Sequence, residues 1–237
     1  MDKNITKARA YFYEFLAYPL FFHTSDEKFA RWREQLSYLA QNPLSEQSAE
    51  AFANLDKFSF DELVNEQNEV LFGFTNIPLS ASFYEEGRDN GAARLRVIHC
   101  LNLSPYRRDK ELCKDSEDYV GFIFLAMATF LNDEFNGAKN ISDKLFIETL
   151  NLFVDEFGSL LLAHKNANFF RSYALILKDF IELERAVLSV EAPAKPQGDS
   201  VAMAALKKEP FQSKMPTIKT KLHWEEFSPV ISHEFKD

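Results

Sequence analysis

The residues of this chain that could do chemistry are few, and they are not spaced to work together. None of the five histidines has a second histidine or a cysteine three or four residues away, the spacing that lets two ligands share a metal ion on one helix. The nearest approach to a metal cluster is His99-Cys100 with Cys113, which lacks a fourth ligand and a paired-cysteine knuckle. We predict no metal site and no cofactor, and we expect no ligand role for His23, His99, His164, His223 and His233.

Neighbouring carboxylates at Glu85-Glu86 and Glu117-Asp118 are the other candidates for chemistry, as a general acid and base. Adjacent residues of a helix do not face each other, and neither pair has a visible nucleophile or base partner. The sequence also lacks the Gly-x-Gly and Gly-Lys-Ser/Thr patterns that cradle phosphates. The chain is therefore predicted not to be an enzyme, and an enzyme built on a helical scaffold is kept as a less favoured alternative.

The second acidic pair opens an apolar run that reaches Leu131, so it has a structural explanation as well. Ser116, Glu117 and Asp118 are residue types that cap a helix and complement its dipole, and we predict that they cap this one. A binding role can coexist with capping if the helix start lies on the surface beside the loop at residues 82–84. The carboxylates would then pair with guanidinium groups of a bound peptide, and the aromatic side chains would hold its apolar part.

A second motif, at residues 71–84, completes the predicted binding site. Its Leu-Phe-Gly-Phe sequence is followed by a loop that begins at a proline and ends in two aromatic residues. Together with the acid-rich helix start, this proline-anchored loop is expected to form the rim of a peptide-binding groove. The predicted supporting residues are Leu71, Phe72 and Pro78, and the predicted contacts to a bound peptide are Ser82, Tyr84, Glu117, Asp118 and Tyr119.

Charge and composition indicate the kind of partner. The 237 residues carry a formal net charge of -9, and the acidic excess lies in residues 1–191, because residues 192–237 hold seven lysines against six acidic residues. An acidic surface repels nucleic acid and anionic membranes and attracts basic peptides. The longest nearly uninterrupted apolar stretch, 119–131, is shorter than the roughly 20 residues of a membrane-spanning helix. We therefore expect a basic peptide partner, no nucleic acid and no membrane insertion.

Cysteine usage and the start of the chain indicate the compartment. Cys100 and Cys113 do not form a disulfide framework. The beginning of the sequence lacks the cationic start, leucine-rich core and small-residue cleavage site of a secretory signal. Both features favour a cytoplasmic location.

The spacing of apolar residues indicates the elements that must position these motifs. Aromatic and leucine residues recur at spacings of three and four, and the chain has only seven glycines, which predicts an all-α fold. We expect a single globular bundle of about ten helices at residues 1–191, followed by a Pro-containing linker and an extended tail at residues 192–237. Ser59 with Glu62 has the spacing of a capping box, and Asn168 is expected to cap the last body helix. The predicted helices are 5–17, 25–41, 45–55, 59–72, 85–100 with interruptions at Gly87 and Gly91, 119–131, 146–164 and one that follows Asn168.

The tail has a different pattern from the body. Ile218, Thr220, Leu222 and Trp224 alternate with polar residues, which is typical of a strand or an extended segment that docks on another surface. Residues 206–211 place two lysines before a proline and a phenylalanine, loosely like a twin-basic signal sequence. One hypothesis is that the tail lies across the acidic groove of its own or a neighbouring molecule until a bound peptide displaces it. A tail that is docked elsewhere or disordered is the favoured alternative.

Taken in order, these motifs resemble those of the TorD/DmsD family of cytoplasmic chaperones for molybdenum- or tungsten-containing redox enzymes. The resemblance runs from Ala8 to Glu184, and the matching residues keep the family's order and spacing in an all-helical chain of similar size. The matching residues are Arg9, Tyr13, Leu16, Ala17, Leu71-Phe72, Pro78, Ser82, Tyr84, Glu117-Asp118 and Asn168-Phe169-Phe170-Arg171.

The resemblance implies a function without catalysis. Members of this family bind the twin-arginine signal peptide and the apo form of a client oxidoreductase, delay its export and assist insertion of the pterin cofactor. The expected client is a formate dehydrogenase, ahead of enzymes like the dimethyl sulfoxide (DMSO) and trimethylamine oxide (TMAO) reductases. The expected oligomeric state is a monomer or a dimer that exchanges helices.

The chain also departs from the family's pattern. Asp118-Tyr119 and Ile123-Phe124 stand where the family commonly has Asp-His and Glu-Leu, and Asn68 stands where many members have tyrosine. Tyrosine does not become cationic near neutral pH as histidine does, and isoleucine removes a carboxylate. These changes and the C-terminal extension predict a divergent branch with its own client. The alternative is a helical adaptor protein that has kept the fold and lost signal-peptide recognition.

Overall fold

The computed structural model describes residues 3–21, 23, 25–73, 76–194 and 197–207. Within these ranges the regular structure is helical, and the only pairing of β type is an isolated bridge between Ser80 and Tyr119. The predicted all-α fold is therefore confirmed. The chain divides into two units, Met1–Leu206 and Lys207–Asp237, and the second unit lies outside the described residues apart from its first residue.

The helices of the described chain follow the predicted order, with ends that differ from the predicted ones by a few residues. A 3₁₀ turn at Tyr18–Leu20 follows the first helix, and a π-helical turn at Phe146–Leu150 joins α8 to α9. No described helix is long and apolar enough to cross a membrane. The helices are α1 (Lys3–Ala17), α2 (Glu27–Leu39), α3 (Glu46–Leu55), α4 (Phe60–Val70), α5 (Ala81–Glu86), α6 (Ala92–Asn102), α7 (Val120–Phe135), α8 (Ser142–Leu145), α9 (Asn151–Ala163), α10 (Phe169–Leu188) and α11 (Val201–Lys207).

Helix α7 lies in the core because its sequence is apolar on nearly every face. Its buried side chains include Ile123, Phe124 and Leu131, and α1 packs along it. Helix α10 is amphipathic and packs against α3 and α9. The ring of Tyr13 connects the two groups, since its centroid lies 5.9 Å from that of Phe124 on α7 and 4.8 Å from that of Phe180 on α10. The bundle therefore has one continuous aromatic core.

The predicted capping box of α4 is present, and the predicted cap of α10 is wrong. Ser45 caps α3, and Ser59 forms the predicted reciprocal capping box with Glu62 at the start of α4. The side chain of Asn168 forms no capping bond. Instead the buried carboxylate of Glu66 reaches from α4 and accepts hydrogen bonds from three successive backbone N–H groups at the start of α10, at 2.8, 2.9 and 2.8 Å. A carboxylate is well suited to the positive end of a helix, so tertiary packing replaced the local cap.

A buried ion pair joins α1 to α10. The guanidinium of Arg9 donates to both carboxylate oxygens of Glu184, at 2.6 and 3.0 Å, and the Tyr13 hydroxyl donates to the same carboxylate at 2.9 Å. Arg9 is 1% exposed and Glu184 is fully buried. Burial alone would lower the pKa of Arg9, but the hydrogen bond to Glu184 and the attraction of the nearby negative charges together outweigh burial and raise that pKa. The two motif residues of α1 thus hold the last body helix in place.

Helices α5 and α6 are separate because Gly87 ends α5 in the left-handed conformation, with φ of 67°. Helix α11 packs beside this turn, since a Cβ placed on Gly87 would lie 3.1 Å from the Cβ of Ala205. Ala202 of α11 is fully buried, and the Ser200 hydroxyl donates to Glu156 of α9. The described part of the predicted linker and tail therefore includes a helix that packs on the body. The strand-like pattern at 218–224 and residues 208–211 lie outside the described residues.

Candidate functional site

The two predicted motifs meet at a short antiparallel contact that leads into α5 and α7. The Ala81 N–H donates to the Asp118 carbonyl at 2.8 Å, and the Val120 N–H donates to the Leu79 carbonyl at 2.8 Å. Ser80 and Tyr119, the residues that directly precede the two helices, both have extended backbone conformation. The chain thus places the proline-anchored loop directly beside the acid-rich helix start.

Asp118 is the centre of this contact and is completely buried. One carboxylate oxygen accepts from the Ser80 hydroxyl at 2.7 Å and from the Ser82 hydroxyl at 2.5 Å, and the other accepts from the Ser116 hydroxyl. Burial would raise the pKa of Asp118, but the hydrogen bonds from Ser116, Ser82 and Ser80 outweigh burial and lower it. The carboxylate is therefore ionised, with its charge satisfied by the protein's own hydroxyl groups.

Glu117 is held in the same way, by two guanidinium groups. Its carboxylate accepts from Arg94 of α6 at 2.6 Å and from Arg108 of the α6–α7 connection at 2.9 Å, and the residue is 8% exposed. Burial would raise its pKa, but these two hydrogen-bonded arginines lower the pKa to about 2. Arg108 also donates to the carbonyls of Cys113 and Asp115. Glu117 thus fastens the connection between α6 and α7 to the body.

The two tyrosines of the predicted site point into the protein. The Tyr119 hydroxyl donates to the carbonyl of Leu20, and the Tyr84 hydroxyl donates to the carbonyl of Pro78 at 2.7 Å. Burial raises the pKa of both phenols. The ring of Tyr84 stacks on Phe153 of α9, with centroids 5.4 Å apart. Both side chains therefore act as anchors between elements in this conformation.

The supporting residues of the predicted site divide into two groups. Leu71 and Pro78 are buried, as support for a loop requires. Phe72 is 43% exposed and lies at the surface after α4. The two motifs therefore do lie side by side, and their supporting residues are partly in the interior and partly at the surface.

The acidic residues before α7 were predicted both to cap that helix and to contact a bound peptide. The prediction that Ser116, Glu117 and Asp118 cap α7 is wrong, because the helix begins after Tyr119 with no side-chain cap bond, and both carboxylates bind other partners. Contact of Glu117 and Asp118 with a client peptide stays a prediction. In the described conformation neither carboxylate lies at the surface, which was the condition attached to that role.

We refer to Ser80, Ser82, Ser116, Glu117 and Asp118 with their two arginines as the polar anchor. Two of the departures from the family's pattern, Tyr119 and Ile123, follow it at the start of α7. Ile123 is fully buried in α7, and the Tyr119 ring packs on Phe21 with centroids 5.4 Å apart. A hydrophobic core therefore surrounds the two altered positions.

Metal-ligating side chains do not gather anywhere among the described residues. No group of three or more histidine, cysteine, aspartate or glutamate side chains there is placed to hold a metal ion. Cys100 is buried, and burial raises the pKa of its thiol to about 11, whereas Cys113 is partly exposed. The described part of the chain thus offers neither a thiolate ligand set nor a reactive thiol.

An open apolar groove lies elsewhere, between α1, the end of α2 and α10. It has a volume of about 380 Å³ and is lined on α1 by Ile5, Ala8, Arg9 and Phe12, on α2 and the following loop by Tyr38, Leu39, Asn42 and Leu44, and on α10 by Phe180, Leu183 and Val187. Sequence reasoning missed this groove. The residues that mark it are the apolar side chains of Ile5, Leu44 and Leu183, which the fold leaves partly exposed.

The fold and these two regions define an all-α bundle with a closed polar anchor and an open apolar groove. The family model described as nitrate reductase delta subunit matches residues 29–160. This is more than half of the chain, and the chain belongs to that family, one of redox-enzyme maturation chaperones of the TorD/NarJ kind. The resemblance stated from the sequence is thereby confirmed. No curated protein matches the chain.

The matched range has a clear relation to the structure. Residues 29–160 run from α2 into α9 and contain the whole polar anchor. The α1 and α10 walls of the apolar groove lie outside this range. The family is one of chaperones for molybdoenzyme maturation rather than of catalytic enzymes.

Proposed function

We propose that this chain is a cytoplasmic chaperone that binds the signal peptide and the apo form of a molybdenum- or tungsten-cofactor oxidoreductase. It assists maturation of that client before twin-arginine export. The observation that carries the proposal is the family match over residues 29–160. A maturation chaperone needs surfaces for a protein partner and no reactive constellation of its own.

Charge supports this partner. The net charge of -9 favours association with a basic peptide, and a twin-arginine signal peptide is basic by definition. The described body also has many exposed carboxylates, whereas its buried carboxylates are already paired. Long-range attraction therefore comes from the surface and not from the polar anchor.

The client is proposed by class. A formate dehydrogenase and enzymes like the DMSO and TMAO reductases remain the clients expected from the sequence, and the description of the matched family adds nitrate reductase. All four are pterin-containing oxidoreductases, so one experiment covers them. The shared requirement is a catalytic subunit that is held before its cofactor is inserted.

The test is affinity purification of the tagged chain from its native host, followed by mass spectrometry. We expect recovery of an immature oxidoreductase catalytic subunit that lacks its pterin cofactor and retains its signal peptide. Addition of an excess of a synthetic twin-arginine peptide should release it. A matched purification with an unrelated acidic helical protein controls for nonspecific capture by charge.

A second candidate is an adaptor that has kept the fold and lost signal-peptide recognition. The observation that favours it is the burial of Tyr119 and Ile123 at the altered positions, together with the closure of the polar anchor. Recovery of protein partners that lack both a pterin site and a signal peptide would support the adaptor and contradict the chaperone.

A further inference from the structure

We infer that the apolar groove between α1 and α10 binds an apolar peptide segment and that the acidic pocket beside it binds an adjacent basic residue of the same peptide. The inference rests on the proposed function for the source of the peptide, which is a client protein. It assigns the contact to a surface that the predicted site residues do not include.

The groove is built from two helical stripes that face each other. Ile5, Ala8 and Phe12 follow one face of α1, and Phe180, Leu183 and Val187 follow one face of α10. Its floor is formed by Phe12 and Phe180, whose rings stack with centroids 4.8 Å apart and an interplanar angle of 10°. These spacings are the ones that let a helix present a continuous apolar surface.

The rim of the groove exposes large apolar side chains that the fold does not bury. Ile5 is 42% exposed, Tyr38 is 60% exposed, Leu44 is 36% exposed and Leu183 is 38% exposed. The Tyr38 ring lies edge-on against Tyr11, with centroids 5.4 Å apart, and forms part of one wall of the groove. A groove of about 380 Å³ with this lining is within the size range of ligand-binding pockets.

Carboxylates at one end of the groove determine the charge of the occupant. A second pocket of about 260 Å³ is lined by Asp179 and Glu182 and shares Leu44 and Leu183 with the groove. The Ser45 hydroxyl donates to Asp179 and orients its carboxylate. Neither carboxylate forms an ion pair within the part of the chain that the structure describes. The pocket therefore offers two free negative charges next to an apolar surface.

This combination selects one kind of occupant. An apolar segment alone would leave the carboxylates without a partner, and a basic segment alone would leave the aromatic floor exposed to water. A peptide with large apolar residues beside an arginine or lysine satisfies both. The polar anchor has no comparable capacity, because its two carboxylates already accept from arginines and serines.

The test measures binding of a fluorescein-labelled synthetic peptide, a leucine-rich segment beside two arginines, to the full chain by fluorescence anisotropy. The first variant is Leu183→Gln in the groove, and its matched control is Leu152→Gln on α9, where the leucine is 46% exposed. We expect Leu183→Gln to weaken peptide binding about tenfold, because an apolar contact is lost, and Leu152→Gln to leave it unchanged.

The second pair of variants tests the charge. Glu182→Gln should weaken binding about threefold at low salt and less at high salt, because salt screens an exposed pair. Its matched control is Glu69→Gln, a glutamate on α4 that is also exposed. A peptide with glutamine in place of its two arginines should bind the wild-type chain and Glu182→Gln with the same reduced affinity.

A third measurement does not depend on substitution. In hydrogen exchange of the wild-type chain, saturating peptide should slow amide exchange in α1 and α10 and leave residues 78–86 unchanged. Protection at 78–86 instead, equal effects of Leu183→Gln and Leu152→Gln, or absence of peptide binding would overturn the inference. Self-association that Leu183→Gln abolishes, seen by light scattering without peptide binding, would assign the groove to a second copy of the chain and also overturn it.

Failure of the groove and failure of the proposed function give different results. If the chain recovers an immature oxidoreductase from its host, and Leu183→Gln recovers the same amount, the groove inference is wrong and the chaperone function stands. If the wild-type chain recovers no such client, the chaperone function is wrong regardless of peptide binding.

Discussion

The polar anchor and the apolar groove both lie where helices and their connections pack together, but their side chains differ in burial and in polarity. The anchor buries charged and hydroxyl side chains and matches each one with a partner from the same chain. The groove leaves large apolar side chains partly exposed to water, with two carboxylates nearby that have no ion pair among the described residues. Buried polar groups need hydrogen-bond partners within the fold to offset a large desolvation cost. Exposed apolar side chains can instead be covered later by a binding partner.

This difference separates a region that the family model matches from the region in which we propose the binding surface. The family match covers the anchor and stops before α10. Motif residues such as Glu117 and Asp118 can therefore serve to hold a fold in shape, and the contact to a partner can lie at other positions, as we propose for the groove. Stability and binding measurements on the same variants distinguish these two roles.

The largest loss of stability is expected from breaking the buried ion pair between Arg9 of α1 and Glu184 of α10, the two helices that form the groove. Arg9→Ala removes the guanidinium from the buried carboxylate of Glu184, and an unpaired buried charge of this kind costs about 3–5 kcal/mol in the free energy of unfolding. Urea unfolding measures the loss. The control is Arg31→Ala, since Arg31 is 72% exposed and its pair with Glu14 should contribute about 1 kcal/mol or less. Equal losses would show that the Arg9 pair is not part of the folded core.

Opening the polar anchor should have the next largest effect. Asp118→Ala removes the shared acceptor of three serine hydroxyls and of the Ser82 N–H, so we expect a loss of about 2–3 kcal/mol in the free energy of unfolding. Asp115→Ala is the matched control, because that carboxylate is exposed three residues earlier. A loss no greater than that of the control would mean that the anchor is a loose surface site, and client contact there would gain support.

Acid should weaken the anchor in a defined window. Two arginines stabilise the ionised form of Glu117 in the folded chain and lower its pKa from 4.5 to about 2. The folded state therefore binds fewer protons than the unfolded state, and the stabilisation is fully present above pH 4.5 and is lost as the pH falls toward 2. Urea unfolding at a series of pH values should show this decline in the wild-type chain and a shallower one in Glu117→Gln. Parallel curves for the two proteins would contradict the assigned role of the arginines.

The smallest effect on stability is expected in the groove. Leu183→Gln changes a side chain that is 38% exposed, so the free energy of unfolding should change by about 0.5 kcal/mol or less. Leu177→Gln on the same helix is the matched comparison, because Leu177 is 1% exposed and a buried amide there should cost about 3 kcal/mol. Similar losses for both variants in urea unfolding would show that the groove is closed in solution.

Local patterns predicted the elements well because they depend on neighbours along the chain. Helical spacing found the body helices, and the Ser59 and Glu62 spacing found a real capping box. The predicted cap of α10 was wrong because the backbone N–H groups at the start of that helix donate to Glu66, which is about 100 residues away in sequence. The cap of α7 was wrong for the same reason, since Glu117 and Asp118 found arginines and serines on other segments.

The sequence by itself determined that this chain is an acidic all-α bundle and which family its motifs resemble, because helical periodicity, charge and motif order are properties of the linear chain. Only the tertiary structure decided which carboxylates are buried and which are free. Glu117 and Glu182 are residues of the same type, yet Glu117 is bound by Arg94 and Arg108 in the folded chain, whereas Glu182 lines a pocket at the surface. The physical reason is that the desolvation cost of a carboxylate, and the hydrogen-bond donors available to it, depend on which helices pack together in the folded chain.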